Sequence, residues 1–322
     1  MESQSLTILI VTSPTPTNPS TSLVDHVLES FTKVPSLSEC PKIIICDGYI
    51  LNEKERLKKG KVSQERAEAY EQYKINLQNN IDEGKLIYYQ NTQVLPLPER
   101  VGFGFAIKKA MGLIKTKKLM VVQHDRCFLK EFDLKGVINS MDQFPHMKFV
   151  LLPIASTYNY KQRMDSKFKT KNLIKGMEIT TDAGLTFLPL LQFYDSTHIA
   201  TVEFYTDFIF KYRFVPSSGF IEDKLGQIQV GDIRKNGVKV HAKYGTYLYG
   251  DGFERVIQHL DGRDSLTSDE FTWDFNPVDG FKRIMHNAPL YSAEEIYRRE
   301  TMEQSTYEIP DGGLCFFEDL GL

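Results

Sequence analysis

Short apolar runs alternate with amphipathic stretches through the first half of the chain. Runs of strand length occupy residues 7–11, 43–46, 86–89 and 119–123. Between them, apolar positions recur at helical spacing over residues 23–31, 63–81 and 102–115. This alternation is typical of right-handed crossovers that connect parallel strands. We therefore predict a doubly wound, mostly parallel α/β sheet flanked by helices for residues 1–155.

The second half of the chain has a more mixed pattern. We predict a strand over residues 148–153, a basic loop over 161–175 and a helix over 222–235 that Asn236-Gly237 ends. A hairpin turn at Asn236-Gly237 is the alternative. The capping-box sequence at 292–295 predicts a late helix, and the acidic, aromatic residues 309–322 are expected to pack across the surface. Residues 156–322 thus form a second half and a mixed C-terminal extension, continuous with the first half as one domain.

Composition narrows the class of protein. The 322 residues are 41% hydrophobic and 25% charged, which is typical of a globular protein with a large core. A net charge of −3 favours no nucleic-acid partner. No signal peptide and no apolar run of membrane-spanning length is visible, and the four cysteines lack metal-binding spacing. We expect a cytoplasmic protein with reduced cysteines and no membrane span.

Polar residues follow three of the predicted strands. They are Thr12 and Ser13, then Asp47, and then His124-Asp125-Arg126. Parallel strands bring their carboxyl ends to one edge of the sheet, where open α/β folds bind ligands. Asp47 could contact a ribose or a base, and His124 the phosphates of a nucleotide. Asp125 could hold a divalent cation or pair with Arg126. Each residue taken alone is also typical of a turn or a helix cap.

Residues 100–107 bear on the identity of a nucleotide ligand. Arg100 could add positive charge at the same edge of the sheet. Gly102 and Gly104 resemble the start of a dinucleotide-binding fingerprint, but Ile107 stands where its third glycine would be. A nicotinamide dinucleotide site is therefore poorly supported.

The order of these features resembles that of GT-A-fold, nucleotide-sugar-dependent glycosyltransferases of the inverting, family-two-like type. In that family a helix such as Gly102–Lys115 leads to a strand that ends in a metal-binding Asp-x-Asp. Residues 121–125 fit this position, with Gln123 in place of the first aspartate and Asp125 as the second. The resemblance implies a GT-A-like fold, an Mn²⁺ or Mg²⁺ cofactor bound through Asp125, and donor contacts from residues near the strand ends.

The resemblance extends to about residue 245. Gly219–Leu225 is similar to the Glu-Asp segment in which a carboxylate deprotonates the acceptor, so Asp223 or Glu222 is the implied base. A helix, a glycine and a strand at 238–240 would follow, which favours the helix over the hairpin. His198 lies in a segment similar to one that borders the donor sugar.

A later cluster of polar residues extends the implied site. The resemblance gives His259 as a second metal ligand, with His241 in reserve, and Arg263 as a contact of the diphosphate. A structural role is the alternative for each histidine. The single Trp273 could stack on a sugar or belong to the core.

The resemblance implies a glycosyltransferase that moves a hexosyl or pentosyl group from a nucleoside diphosphate, with a UDP-sugar favoured, to a glycan or protein acceptor. Residues 1–155 would bind the nucleotide sugar and residues 156–322 the acceptor. A sugar-phosphate nucleotidyltransferase is the first alternative, although residues 13–20 lack the basic phosphate loop it needs. A catalytically inactive nucleotide- or carbohydrate-binding protein of the same fold is the second.

Overall fold

A computed structural model describes residues 6–84, 86–216 and 219–260 of the chain. Arg263, Trp273, the predicted late helix at 292–295 and the segment 309–322 lie outside the described residues. Among the residues that are described, no helix is both long and apolar enough to cross a bilayer.

Thirteen strands and seven α-helices are described. The strands are β1 (Leu6–Thr12), β2 (Lys42–Cys46), β3 (Ile50–Leu51), β4 (Lys61–Val62), β5 (Thr92–Pro96), β6 (Lys118–Gln123), β7 (Arg126–Phe128), β8 (Phe149–Leu151), β9 (Ile179–Thr180), β10 (Thr186–Pro189), β11 (His198–Thr201), β12 (Thr246–Tyr249) and β13 (Ile257–His259). The helices are α1 (Ser22–Ser30), α2 (Gln64–Glu83), α3 (Phe103–Ala110), α4 (Leu134–Gln143), α5 (Tyr160–Phe168), α6 (Gln227–Asn236) and α7 (His241–Tyr244). Segments Phe204–Phe210 and Glu222–Gly226 are π-helical.

Nine of the strands form one sheet, in the order β5-β2-β1-β6-β11-β8-β12-β10-β9. The first four run parallel, and only β11 and β10 run opposite to the others. Helices cover both faces of the sheet, so the predicted α/β class with a mostly parallel sheet is confirmed. Strands from before and after residue 155 share this sheet. Two small ribbons, β13-β7 and β3-β4, lie beside it.

The sheet is buried on both faces because successive side chains of a strand point to opposite sides. In β1, Ile8 and Ile10 pack with α1, α2 and α4, whereas Leu9 and Val11 pack with α3 and the π-helical segment at 204–210. Burial on both faces explains why the central strands read as continuous apolar runs in the sequence.

Three predictions of secondary structure are wrong. Residues 87–89 form a 3₁₀ turn, and the strand follows at Thr92–Pro96. This half-buried edge strand has only a short apolar stretch, Val94-Leu95, whereas residues 86–89 form a longer one although Ile87 is 67% exposed. Residues 160–168 form α5, since Tyr160 and Met164 bury one face of an otherwise polar helix. Residues 238–240 form a 3₁₀ turn in place of a strand.

The helix predicted after residue 222 is confirmed, so the hairpin alternative is wrong. A π-helical turn at Glu222–Gly226 runs into α6, which ends at Asn236. Gly237 follows with φ of 83°, a conformation that glycine adopts without steric cost.

Candidate active site at the carboxyl edge of the sheet

The carboxyl ends of β1 and β6 meet as predicted. His124 Nδ1 lies 2.8 Å from Thr12 Oγ1, and the Ser13 backbone N–H donates to the same ring nitrogen at 3.4 Å. The His124 backbone N–H donates in turn to the Val11 carbonyl. Because Nδ1 accepts these bonds, a neutral His124 ring carries its hydrogen on Nε2, the nitrogen that faces Asp125.

Asp125 is a buried carboxylate in a positive environment. Its Oδ2 lies 3.1 Å from His259 Nε2 and 3.9 Å from His124 Nε2, and the residue is 5% exposed. Burial raises the pKa of this carboxyl, but the attraction of His259, their hydrogen bond and the charges on His124 and Arg126 outweigh burial and lower the pKa. Asp125 is therefore ionised, and its Oδ1 has no hydrogen-bond partner among the described residues.

His259 reaches Asp125 through the small ribbon. β13 pairs antiparallel with β7, which places His259 opposite Arg126, and the Leu260 N–H donates to the Asp125 carbonyl at 2.8 Å. The two residues predicted as metal ligands, 134 positions apart in the chain, are thus in direct contact.

Two of the described residues at this site, Asp125 and His259, are of types that ligate divalent cations. No group of three or more His, Cys, Asp or Glu side chains arranged to hold a metal occurs in the described ranges. One carboxylate with an unpartnered oxygen and one imidazole fit a divalent ion that takes its other ligands from water and a substrate phosphate. Gln123 is occupied elsewhere, since its Nε2 donates to the Asp195 carbonyl at 3.1 Å.

A second pair of acidic residues lies beyond Gln123. The Asp195 N–H donates to Glu222 Oε2 at 2.9 Å, and the Glu222 N–H donates to Asp195 Oδ2 at 2.8 Å. Burial raises the pKa of both carboxyls, and their mutual repulsion raises that of Asp195 further, well above its usual range. This arrangement can hold a proton at a pH where an exposed carboxyl has lost it.

The charge of Arg126 acts on both Asp125 and the Asp195-Glu222 pair. Its charge lowers the pKa of Asp125 and also opposes the rise in that of Glu222, so the guanidinium acts on both. Its buried Nε has no hydrogen-bond partner within the described residues. The charge of this half-buried guanidinium makes Arg126 suited to an anionic ligand.

Further buried polar atoms without partners in the described structure line this edge. They are the Oδ1 of Asp195 and the hydroxyl oxygens of Ser156, Ser196 and Thr197. The Leu152 N–H donates to the Thr197 carbonyl, which joins the ends of β8 and β11. Buried polar groups are normally hydrogen-bonded, so this edge of the sheet is polar as well as buried.

Asp223 lies on the outer side of the Glu222 turn. It is exposed, and its Oδ2 accepts from the Phe220 N–H at 3.0 Å, while its charge contributes to the raised pKa of Glu222. Of the two predicted bases, Asp223 is accessible to an acceptor and Glu222 is held by Asp195.

Asp47, predicted to contact a ribose or base, is bound by the chain itself. Its carboxylate accepts from the backbone N–H groups of Gly48, Val101 and Gly102 at 2.8–3.0 Å. It thereby holds the start of α3, with the charge of Arg100 nearby. This geometry gives Asp47 a structural role and leaves it little capacity for a ligand.

His198, predicted to border the donor sugar, lies in the core. It is fully buried, Nδ1 lies 2.6 Å from the Ser196 carbonyl, and Nε2 lies 2.7 Å from the Tyr205 hydroxyl. Burial lowers the pKa of His198 to about 4, so the ring is neutral at pH 7. Because both nitrogens are engaged inside the protein, this placement does not fit a contact with donor. The reserve residue His241 is likewise buried, with Nε2 against the Thr246 carbonyl.

Asp195, Ser196 and Ser156 were missed in the sequence. No spacing marks them, because they reach the edge through an antiparallel strand and a loop. The polar triplet Asp195-Ser196-Thr197 between two apolar runs is the one available signal.

Comparisons with known proteins find similar solved structures but no similar sequence. No protein-family model matches the chain, and no curated protein sequence matches it. Among solved structures, Staphylococcus aureus TarS is 13% identical over 79% of this chain and 36% of that chain, with a TM-score of 0.40. TarS 1–349 in complex with UDP-GlcNAc is 13% identical over 90% of this chain and 69% of that chain, at 0.43. The mannosyltransferase PcManGT from Pyrobaculum calidifontis, in complex with GDP-Man and Mn²⁺, is 10% identical over 68% and 49%, at 0.39. The chain therefore spans about a third of the full TarS chain and about half of PcManGT.

Proposed function

We propose that this protein is a glycosyltransferase that moves a sugar from a nucleoside diphosphate to an acceptor hydroxyl by a single displacement with inversion. The observation that carries the proposal is the pairing of two acidic groups at one sheet edge. Asp125 is ionised and bound to His259, whereas Asp195 and Glu222 have raised pKa values, and Arg126 acts electrostatically on both groups. An anionic leaving group requires positive charge such as that around Asp125, and a proton transfer requires a carboxylate such as Asp223 on the turn that Glu222 and Asp195 hold.

Arg126 and the strand ends would bind the donor. The Arg126 guanidinium would attract the diphosphate through its charge, which acts at this edge of the sheet. Thr12 and Ser13 at the end of β1 contact His124 at the end of β6, next to Asp125, and the nucleotide would lie here. Asp125 and His259 would hold Mn²⁺ or Mg²⁺, whose charge would stabilise the diphosphate as it departs.

Asp223 would act as the base. Its exposed carboxylate takes the proton of the acceptor hydroxyl while the acceptor oxygen forms a bond to the anomeric carbon. The bond from that carbon to the phosphate oxygen breaks, and its electron pair leaves with the nucleoside diphosphate. Glu222 is less suited, because its Oε2 already accepts from the Asp195 N–H. The acceptor would be a glycan or a protein.

Donor hydrolysis and transfer test the proposal. The protein is incubated with UDP-, GDP- and dTDP-sugars, with Mn²⁺ or with EDTA, while release of the nucleoside diphosphate is followed. UDP-GlcNAc and GDP-mannose head the panel. Water can replace the acceptor slowly, so one donor should release its nucleotide.

Variants assign the roles. Asp125→Asn should lower turnover at least about 100-fold, as loss of one charge-stabilising group does in other enzymes. Asp223→Asn should lower transfer to an acceptor strongly while the thermal shift induced by donor is retained. Asp82→Asn on the exposed face of α2 is the matched control and should change nothing. Full turnover in both site variants would refute the assigned roles. If the wild type binds a donor but releases no nucleotide, the inactive binding protein is favoured. If it releases pyrophosphate from a nucleoside triphosphate, the nucleotidyltransferase is favoured.

A further inference from the structure

The turn that carries Asp223 is joined to the end of β6 by consecutive hydrogen bonds. Gln123 Nε2 donates to the Asp195 carbonyl, and Asp195 and Glu222 then exchange two backbone-to-carboxylate bonds. Asp223 is the next residue in the chain. The path therefore runs from the end of β6, two residues before Asp125, to the turn that bears the proposed base.

We propose that Asp195 is a positioning residue for glycosyl transfer, which fixes the Glu222-Asp223 turn against the sheet edge. This inference rests on the proposed function and deepens it. Asp195 touches neither Asp125 nor His259 in the described structure, and it acts through Glu222.

The geometry explains why a second ionised carboxylate is unfavourable here. Asp195 is 1% exposed, and each of its two bonds to Glu222 uses one backbone donor, which leaves Asp195 Oδ1 without a partner among the described residues. The charged and titratable groups that act on the pair are Asp223, Arg126 and Tyr205. Asp223 repels both carboxylates, and Arg126 acts on Glu222. Two buried charges with one such cation would repel each other, so the pair retains a proton above the pH at which exposed carboxyls ionise.

The same contacts explain why position 123 is a glutamine. The Asp-x-Asp pattern implied by the resemblance would place an aspartate at this position, but an ionised aspartate can only accept hydrogen bonds. It would then face the Asp195 carbonyl oxygen with no donor. Gln123 supplies the N–H that the Asp195 carbonyl accepts. The departure from the pattern and the buried pair are thus parts of one arrangement.

The first measurement is independent of activity. Unfolding midpoints of the full-length wild type and Asp195→Asn are recorded from pH 4.5 to pH 8. The amide introduced by Asp195→Asn keeps an oxygen that accepts the Glu222 N–H, but it cannot ionise. A carboxyl with a raised folded pKa contributes stability that is present below its unfolded pKa and lost as pH rises. The midpoint of Asp195→Asn should therefore rise relative to the wild type across this range, by about 2–6 °C. Parallel curves would overturn the shared proton.

The second measurement separates kcat from KM on the donor identified by the panel. Asp195→Ala removes the acceptor of the Glu222 N–H and should lower kcat about 10–100-fold with the donor KM within about threefold, because a misplaced base costs turnover more than binding. Gln123→Glu should act in the same direction, and Asp195→Asn should be the mildest of the three. Unchanged kcat in Asp195→Ala would overturn the positioning role.

The unfolding and kinetic measurements together distinguish a failure of this inference from a failure of the proposed function. If Asp195→Ala does not fold, Asp195→Asn and Gln123→Glu still give both readouts. If the wild-type protein releases no nucleotide from any donor, the proposed function is refuted, and so is the role of Asp195 in glycosyl transfer. The unfolding curves would still decide whether Asp195 and Glu222 hold a proton.

Discussion

Replacement of Asp47 distinguishes a structural carboxylate from a ligand-binding one. Asp47 follows β2 at the sheet edge, where the sequence predicts a contact with the donor, yet its two oxygens accept three backbone N–H groups. Two of these donors, on Val101 and Gly102, begin the turn into α3. Asp47→Ala should therefore damage the fold before it affects donor binding.

The magnitude follows from the donors left behind. Val101 and Gly102 would each lose the acceptor for a partly or fully buried N–H, at about 1–3 kcal/mol apiece. Burial raises the pKa of Asp47 despite its hydrogen bonds, so removal of the buried carboxylate returns part of this loss. We expect a net fall of about 2–4 kcal/mol in the free energy of unfolding for Asp47→Ala. Asp47→Asn retains one accepting oxygen and should lose about half as much.

Urea denaturation at pH 7 measures the change, with donor KM as the second readout. Asp133→Ala is the matched control: Asp133 caps α4 by accepting the Gly136 N–H at 2.7 Å, but it is exposed, and its loss should cost about 1 kcal/mol. The structural role would be refuted if Asp47→Ala were as stable as the wild type but had a donor KM raised tenfold or more. A tenfold rise corresponds to about 1.4 kcal/mol of binding free energy.

Three further predictions concern neighbouring positions. Neutral His198 contributes stability that is fully present above its unfolded pKa of about 6.5 and is lost as pH falls towards the folded pKa of about 4. The loss is on the order of 3 kcal/mol. His198→Phe should therefore reduce the fall in unfolding free energy between these two pH values. A side chain at Gly48 would overlap the backbone of Glu99 and Arg100, so Gly48→Ala should cost about 1–3 kcal/mol by urea denaturation, and an unchanged midpoint would show that this loop yields. His259→Gln should abolish the rise in melting temperature produced by Mn²⁺ with a nucleoside diphosphate; an Mn²⁺-dependent shift equal to that of the wild type would exclude His259 as a ligand.

The amino-acid sequence by itself determined the architecture of the first half. The apolar runs of β1, β2 and β6 and the periodic faces of α1, α2 and α3 are local patterns, and burial on both sides of a sheet leaves such patterns directly in the sequence. The same logic failed for β5 and α5. One is a half-buried edge strand with a two-residue apolar stretch and the other a polar helix with two buried residues, so neither has the composition of its class.

Part of the site was also predictable. Residues that follow parallel strands reach one edge whatever the loops do, which is why Thr12, His124 and Asp125 meet. The contact between His259 and Asp125 entered only through the resemblance, because nothing local indicates that β13 pairs with β7.

Tertiary structure alone decided which of these polar residues remain available to a ligand. Asp47 and His198 have the residue types and positions expected of a binding site, but backbone N–H groups and core partners occupy them. Asp195 has no motif, and the reversed direction of β11 brings it to Gln123 and Glu222. Hydrogen bonds between residues far apart in the chain depend on strand order and register. Those are set by packing of the whole sheet, which a local pattern of apolar and polar residues does not encode.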